Sequence, residues 1–277
     1  MKSSLFSRDL EVRSRQHLRM LRGMIKMGAA VLPAVILVIL TCTTSCRHAD
    51  IPSGNSEASI KDWFEDPPPI DIAALTRTNL TDIIIANRVT KIGCNAFSNY
   101  KDVAGIIIPA SVTEIKSNAF EGCTTLTNIL VDSENPKFCS MNGVLFNKER
   151  TRLILCPNGK SGSYTIPDGV VEIGSCAFIG CTSLTKIIIP DTVTYIGYTA
   201  FSNCERLNSI VVSSSVVDIE FNAFDRCAGL TNILVDIDNA EFSSADGVLY
   251  NKGKTRLILC PIGKSGTYTL PAEVTKI

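Results

Sequence analysis

Short apolar runs and a recurring Ala-Phe pair divide most of the chain into similar units. The first stretch of a repeat, such as Leu184–Ile189, is a β-branched run with period-two alternation, which predicts a strand. Pro190 follows it directly, and a proline in that place ends ladder pairing. The phenylalanine of the pair returns, mostly at intervals of 23 residues, at Phe97, Phe120, Phe178, Phe201 and Phe224. A short fixed period predicts a solenoid, in which each unit buries its apolar face on its neighbours.

The repeat over residues 184–204 shows the full pattern. It reads Leu184-x-x-Ile187-x-Ile189-Pro190, then Val193-x-x-Ile196-Gly197, then Ala200-Phe201-x-x-Cys204. This order resembles the BspA-like subgroup of leucine-rich repeats, over about residues 80–277. The resemblance implies a curved right-handed solenoid that is displayed at a cell surface and is often adhesive. The predicted fold is mainly β with short helical turns: parallel strands stacked about 4.8 Å apart, with a column of phenylalanine rings inside.

Two repeats are longer than the others and resemble each other closely. They cover residues 129–163 and 233–267, with 35 residues each. Asn142–Lys148 in the first matches Asp246–Lys252 in the second. Two apolar runs around a short polar turn predict a β-hairpin in each of them. We interpret the hairpin as a family insert that lies on one face of the solenoid, in preference to a separate functional module.

Eleven cysteines would first suggest disulfides in an exported protein. Four of them recur three residues after the repeat phenylalanine, at Cys123, Cys181, Cys204 and Cys227. A column of small buried hydrophobes is therefore the favoured interpretation, although neighbouring repeats are close enough for a bridge. No Cys-x-x-Cys occurs, so the spacing of a zinc knuckle is missing and we expect no metal.

The only two histidines are His17 and His48, both before the repeats. A Ser-His or Cys-His pair therefore cannot form within the solenoid, and the sequence predicts a protein that is not an enzyme and needs no cofactor.

The N-terminal region predicts export. Residues 1–26 carry seven basic side chains against two acidic ones, and the apolar segment Met27–Leu40 follows. Residues 1–45 therefore predict a signal peptide, and an apolar segment of this length is short for a membrane span. The cysteine after Thr-Thr-Ser resembles that of a bacterial lipoprotein signal, which implies lipidation of Cys46 and a location at the outer membrane or cell surface. Lipidation of Cys42 and an uncleaved anchor are the alternatives.

Residues 46–79 form a predicted tether and N-terminal cap. The chain after residue 45 holds 20 basic and 25 acidic residues, without a basic stripe. Nucleic acid is therefore not an expected partner.

A candidate binding face follows from the strand alternation. The first and third residues of each strand triplet point inward, so the middle one points outward. A contiguous outward stripe of aliphatic side chains is explained by a covering hairpin, by a docked partner or by β-propensity alone. The candidate residues are the aliphatic Ile84, Ile107, Leu130, Ile188, Val211 and Leu234, with the polar Asp82, Asn128, Lys186 and Asn232 beside them.

The chain stops at Ile277 within a repeat. Val274–Ile277 corresponds to Val112–Ile115, and no Ala-Phe pair follows. A solenoid needs a polar terminal cap, so the sequence predicts an array truncated at its C-terminus, with edge-to-edge dimerisation as the alternative.

The leading functional hypothesis is a non-catalytic surface lipoprotein that binds an extracellular or surface protein through the solenoid face, in adhesion or protein-protein interaction. The alternative is surface carbohydrate capture. Phenylalanines and tyrosines mostly occupy core or hairpin positions, which leaves few rings for stacking on sugars and disfavours this alternative.

Overall fold

The structure of the 277-residue chain is a computed structural model. The structure describes residues 82–116 and 118–277, and the backbone of one further strand, Ile36–Val38. The predicted signal peptide, Cys46 and the tether over residues 46–79 lie outside the described residues, except for that strand.

Nineteen strands make up the regular structure of the described residues, which contain no helix. They are β1 (Ile36–Val38), β2 (Asp82–Ile85), β3 (Lys91–Ile92), β4 (Gly105–Ile108), β5 (Glu114–Ile115), β6 (Asn128–Val131), β7 (Phe138–Met141), β8 (Val144–Asn147), β9 (Arg152–Leu155), β10 (Gly162–Thr165), β11 (Glu172–Ile173), β12 (Leu184–Ile188), β13 (Tyr195–Ile196), β14 (Ser209–Val212), β15 (Asp218–Ile219), β16 (Asn232–Val235), β17 (Phe242–Ala245), β18 (Val248–Asn251) and β19 (Leu257–Leu259).

Each short repeat contributes one strand to each of two faces, and the repeats stack in parallel. On the first face the strands pair in the orders β1-β2-β4-β6, β10-β12 and β14-β16. On the second face β3 pairs with β5, and β9, β11, β13 and β15 pair in succession. All these pairings are parallel and bring equivalent residues opposite each other, as with Ile106 and Ile129. The predicted parallel stacking is confirmed.

The stacked aromatic column is also confirmed. The rings of Phe97 and Phe120 lie 5.5 Å apart with an interplanar angle of 5°. Those of Phe201 lie 5.2 Å from Phe178 on one side and 5.2 Å from Phe224 on the other. Stacked rings of this kind contribute about 0.5–1.5 kcal/mol each beyond the burial of their area.

The segments around these phenylalanines, predicted as short helical turns, are successive hydrogen-bonded turns. The N–H of Ser98 donates to Asn95 O at 3.0 Å, for example. Asn95 and Asn99 both have positive φ, 55° and 63°, and equivalent positions in the other repeats do too. Asparagine and glycine adopt this region at lower cost than other residues, and they fill most of these positions.

The cysteine column is buried and unbridged. The thiols of Cys123, Cys204 and Cys227 donate to the carbonyl oxygen of the phenylalanine one repeat earlier, at distances of 2.8, 3.2 and 3.0 Å. Burial raises the pKa of the Cys123 and Cys227 thiols to about 11, so they stay protonated at neutral pH. These cysteines pack as small hydrophobic residues, as the sequence predicts.

The two hairpins do not lie on one face, which corrects the interpretation from sequence. In the first, β7, β8 and β9 form a three-stranded antiparallel unit, and Val144, Leu145 and Phe146 of β8 are fully buried. Val144 and Phe146 belong to the core that extends towards the C-terminus, whereas Leu145 belongs to the core of the N-terminal repeats.

The hairpin therefore forms a wall across the interior of the solenoid. At one end the N–H of Ile129, in β6 of the first face, donates to Gly143 O at 3.0 Å. At the other end β9 pairs with β11 of the second face. Strands β17, β18 and β19 form a second wall of the same kind, with Val248, Leu249 and Tyr250 buried. A β-strand with apolar residues on both sides is stable only when both sides are covered, and the interior of the solenoid provides that.

Candidate functional site

The outward residues of the first face form the surface that the sequence singles out. We name them the outward stripe: Ile84, Ile107, Leu130, Thr165, Ile188, Val211 and Leu234. In β2 the burial alternates as predicted, because Ile83 and Ile85 are buried while Ile84 between them is only partly covered. The same alternation recurs in β6 and β14. The strand period thus sets which side chains reach the surface.

Backbone register brings the candidate residues together in three groups. Ile84, Ile107 and Leu130 lie opposite one another, with Asp82, Gly105 and Asn128 in the row beside them. Thr165 lies opposite Ile188, and Lys186 lies opposite Ser163. Val211 lies opposite Leu234, with Ser209 opposite Asn232. The register shows these candidates side by side within each group only.

Exposure rises along the stripe towards the C-terminus. Ile84, Ile107 and Leu130 are partly buried, whereas Ile188, Val211 and Leu234 are exposed by 41%, 52% and 45%. The hairpin of the second wall therefore does not cover the end of the stripe. Of the three explanations for the stripe, burial under a hairpin is not observed for Val211 and Leu234.

Two of the polar candidates contact the hairpin turns. Asn128 packs on Gly143, where an added Cβ would come within 2.6 Å of the Asn128 side-chain oxygen. Asn232 packs on Gly247 in the same way. Both glycines have φ of +75°, a conformation that L side chains rarely adopt. These two asparagines therefore support the hairpin turns as well as bordering the stripe.

The chemistry of the stripe is apolar and amide in character. No group of histidine, cysteine and acidic residues suited to a metal ion occurs in residues 82–116 and 118–277. Both histidines of the chain lie before residue 82. Nor does this part of the chain contain a helix long and apolar enough to cross a membrane. The arrangement favours contact with another surface, since apolar side chains on a rigid sheet provide burial and shape rather than proton transfer.

Sequence reasoning missed two exposed aromatic residues. Tyr198 and Phe221 are exposed by 48% and 76% and lie on the second face, three residues before the core phenylalanines of consecutive repeats. A signal was present in the sequence, because equivalent positions hold the small residues Cys94, Ser117 and Ser175. A large apolar side chain where other repeats carry a small one marks a surface specific to those repeats.

Stacked parallel strands with a repeating Leu, Ile, Ala and Phe core define a leucine-rich-repeat solenoid. The sequence matches the BspA type leucine rich repeat region in six copies, over residues 69–149 and 156–248, which is more than half of the chain. The chain belongs to this family. No match was found among curated proteins.

Several solved bacterial protein structures resemble this chain. A leucine-rich repeat protein from Eubacterium ventriosum is 25% identical, with a TM-score of 0.50, over 67% of this chain and 58% of its own. A leucine rich cell surface protein from Faecalibacterium prausnitzii is 26% identical, with a TM-score of 0.44, over 56% of this chain and 47% of its own. The pneumococcal vaccine antigen PcpA is 23% identical, with a TM-score of 0.44, over 67% of this chain and 46% of its own. This chain spans about half the length of these proteins.

Proposed function

We propose that this protein is a non-catalytic binding protein of the cell surface that holds a protein partner on the outward stripe. The observation that carries the proposal is the exposure of Ile188 and of the facing pair Val211 and Leu234 on the parallel strands of the stacked fold. The family and the description of one similar structure as a cell surface protein support the location.

The stripe supplies enough apolar surface for anchoring contacts. Each of its exposed aliphatic side chains is already half-buried, so full coverage by a partner contributes about 1 kcal/mol for each one. Association costs several kcal/mol in lost freedom, so the polar residues beside the stripe must take part as well. Asp82, Lys186 and Asn232 provide a charged and amide rim of the kind that surrounds protein interfaces.

The experiment is a binding screen on purified extracellular domains and secreted proteins, immobilised on an array and probed with the labelled chain. Proteins that bind are then tested against Val211→Lys combined with Leu234→Lys. We expect at least about a hundredfold weaker binding, because two unpaired ammonium groups would be buried.

The matched control is Ile237→Lys, which makes the same kind of change at a residue that is 87% exposed and outside the stripe. It should bind as the unchanged protein does. Equal binding by the stripe variant and the unchanged protein would contradict the proposal.

Surface location through a lipid on Cys46 is part of the same proposal. Its test is the intact mass of the protein from the membrane fraction, beside a Cys46→Ala variant. A chain that starts at residue 46 and carries acyl groups, absent from the variant, is the expected result. An unprocessed chain without lipid would contradict it.

Carbohydrate capture is the second candidate, and Tyr198 and Phe221 are the observation in its favour, because exposed rings can stack on sugars. A glycan array separates the two candidates. Binding that is lost in Tyr198→Ala and retained in the stripe variant would favour carbohydrate.

A further inference from the structure

Strand β15 has one open edge on the second face. It is the end strand of its sheet, and among the described strands it pairs with β13 alone, with Tyr195 opposite Asp218. In the repeat before, Thr194 O accepts from the N–H of Val217 and Ile196 O accepts from the N–H of Glu220. The equivalent carbonyls one repeat later are those of Val217 and Ile219. They accept no backbone hydrogen bond from the described residues, because β19, which lies beyond them, pairs with β18.

A cleft of about 440 Å³ separates this open edge from the second wall. Its floor is apolar, formed by Ile219 and Phe224 on one side and by Leu249 and residues 257–259 on the other. Phe221 stands at its mouth with 76% of its surface exposed. An apolar cleft beside unpaired backbone groups has two of the features that proteins use to bind extended peptides.

The rim of the cleft is acidic next to β15. Glu220 lines the cleft and accepts a hydrogen bond from the Tyr195 hydroxyl at 2.8 Å. Asp218 is exposed on β15 itself. Neither carboxylate forms an ion pair with a described residue, whereas Asp225, which also lines the cleft, lies 3.5 Å from the Arg226 guanidinium. Arg256 also lines the cleft, on the side of the second wall. A basic side chain placed against Asp218 and Glu220 would meet two carboxylates that form no ion pair with a described residue.

The corresponding position beside the first wall has a different chemistry. There the chain holds Lys116 and Ser117 in place of Glu220 and Phe221. Glu114, which replaces Asp218, is ion-paired with Lys91 at 3.0 Å and with Lys116. The carboxylate of Glu220 and the ring of Phe221 therefore occur beside the second wall and not at the equivalent sequence positions beside the first, so they are not requirements of the repeat.

We propose that this cleft binds an extended peptide segment of a partner protein, which adds a parallel or antiparallel strand beside β15, packs an apolar side chain against Phe221 and places a basic side chain against Asp218 and Glu220. The site lies on the second face and is independent of the outward stripe.

The test uses three capped, fluorescein-labelled hexapeptides rich in threonine. Each has a central isoleucine flanked by lysine, glutamate or serine, and each is also made with backbone N-methyl groups on alternate residues. Fluorescence anisotropy measures their binding to the full chain. Glu220→Lys and Phe221→Ser introduce the residue types found at the equivalent positions beside the first wall, Lys116 and Ser117. Val211→Ser on the outward stripe is the matched control.

We expect the lysine peptide to bind about tenfold more tightly than the glutamate peptide. N-methylation should weaken the binding of the lysine peptide about tenfold, because it removes strand hydrogen bonds. Phe221→Ser and Glu220→Lys should each weaken the binding of the lysine peptide about tenfold, and Val211→Ser should leave it unchanged. Phe221 is exposed, so its loss leaves the fold intact, which circular dichroism checks. No binding of any peptide at about 1 mM, or equal binding of the N-methylated and unmodified peptides, would overturn the proposal.

Discussion

The two hairpin repeats have nearly the same internal geometry but different surroundings. Asn135 donates to Pro109 O and Val112 O at 2.8 and 2.9 Å, and Asn239 donates to Ser213 O and Val216 O at 2.7 and 2.9 Å. The side-chain oxygen of each asparagine accepts two backbone N–H groups of its own repeat.

The surroundings differ where the following repeat makes contact. Cys156 of the first hairpin repeat is fully buried, and its N–H donates to Ala177 O at 2.7 Å. The equivalent Cys260 is exposed. Arg152 is ion-paired with Glu172 at 3.1 Å, whereas Arg256 forms a bridge with Lys276 through the backbone. Each hairpin repeat therefore keeps its own internal hydrogen bonds, while the exposure of its residues depends on the neighbouring repeat.

The largest expected effect comes from the buried asparagines. Asn135→Asp or Asn239→Asp replaces the donating amide with an oxygen that faces two carbonyl oxygens. We expect each change to lower the free energy of unfolding by about 3–5 kcal/mol, because the asparagine side chain is fully buried and its two donated hydrogen bonds would be lost. Urea unfolding measures the loss, and exposed Asn208→Asp is the control, expected within about 0.5 kcal/mol. Losses that differ by more than about 2 kcal/mol would contradict the equivalence of the two hairpins.

Thiol labelling sharpens the difference between the two surroundings. Cys260 should react with iodoacetamide in the folded protein, whereas Cys156 should react about a hundredfold more slowly because the repeat must first open. Peptide mass analysis after timed quenching gives both rates in one sample, and the rates should become equal in urea. Equal rates in the folded protein would show that the repeat after the first hairpin does not cover Cys156.

The two cysteines that precede the hairpins should contribute equally to the change of folding stability with pH. Cys123 and Cys227 have pKa values raised by burial to about 11, above the ordinary 9.0 of the thiol. Between these values the unfolded chain has lost the proton and the folded chain has kept it, so stability falls as pH rises from 9 to 11.

The expected loss is about 1 kcal/mol for each thiol, after allowance for solvent screening. Urea unfolding at pH 8 and at pH 10.5 measures it, and Cys123→Ala or Cys227→Ala should each flatten the slope to the same extent. A slope unchanged in either variant would show that its thiol titrates as it does in the unfolded chain.

The smallest expected effect concerns one hydroxyl group. Tyr250 of the second wall is fully buried, and its hydroxyl oxygen lies 2.7 Å from that of Tyr268. The first wall has Phe146, which lacks a hydroxyl, at the equivalent position. Tyr250→Phe should lower stability by about 0.5–1 kcal/mol, because Tyr268 still donates to Ala245 O at 3.2 Å. Thermal unfolding measures it, with Tyr198→Phe as the exposed control. A loss above about 2 kcal/mol would mean that the tyrosine pair holds the second wall in place.

Much of the fold and part of the site could be read from the residues. The 23-residue interval predicts the stacked rings of Phe178, Phe201 and Phe224, because equivalent residues of stacked units must lie side by side. Period-two alternation predicts the outward positions of Val211 and Leu234 for the same local reason. The hairpin itself was also predictable, from two apolar runs around a polar turn.

The path of the hairpin was not predictable in this way. Val144, Leu145 and Phe146 are all apolar, a run that fits a strand buried on both sides, yet the sequence does not say what covers the two sides. Similarly, Glu220, Phe221 and Leu257 meet at one cleft only because β19 pairs with β18 and leaves one edge of β15 without a neighbouring strand among the described residues.

The sequence by itself determined the repeat, the direction of each strand side chain and the internal bonds of each hairpin, since these depend on chain-local periodicity and on equivalent residues stacking at one spacing. The tertiary structure alone decided that the hairpins form interior walls, which equivalent cysteine is exposed and where a sheet edge stays open. Those features depend on contacts between repeats that differ from one another, and such contacts are set by packing and not by period.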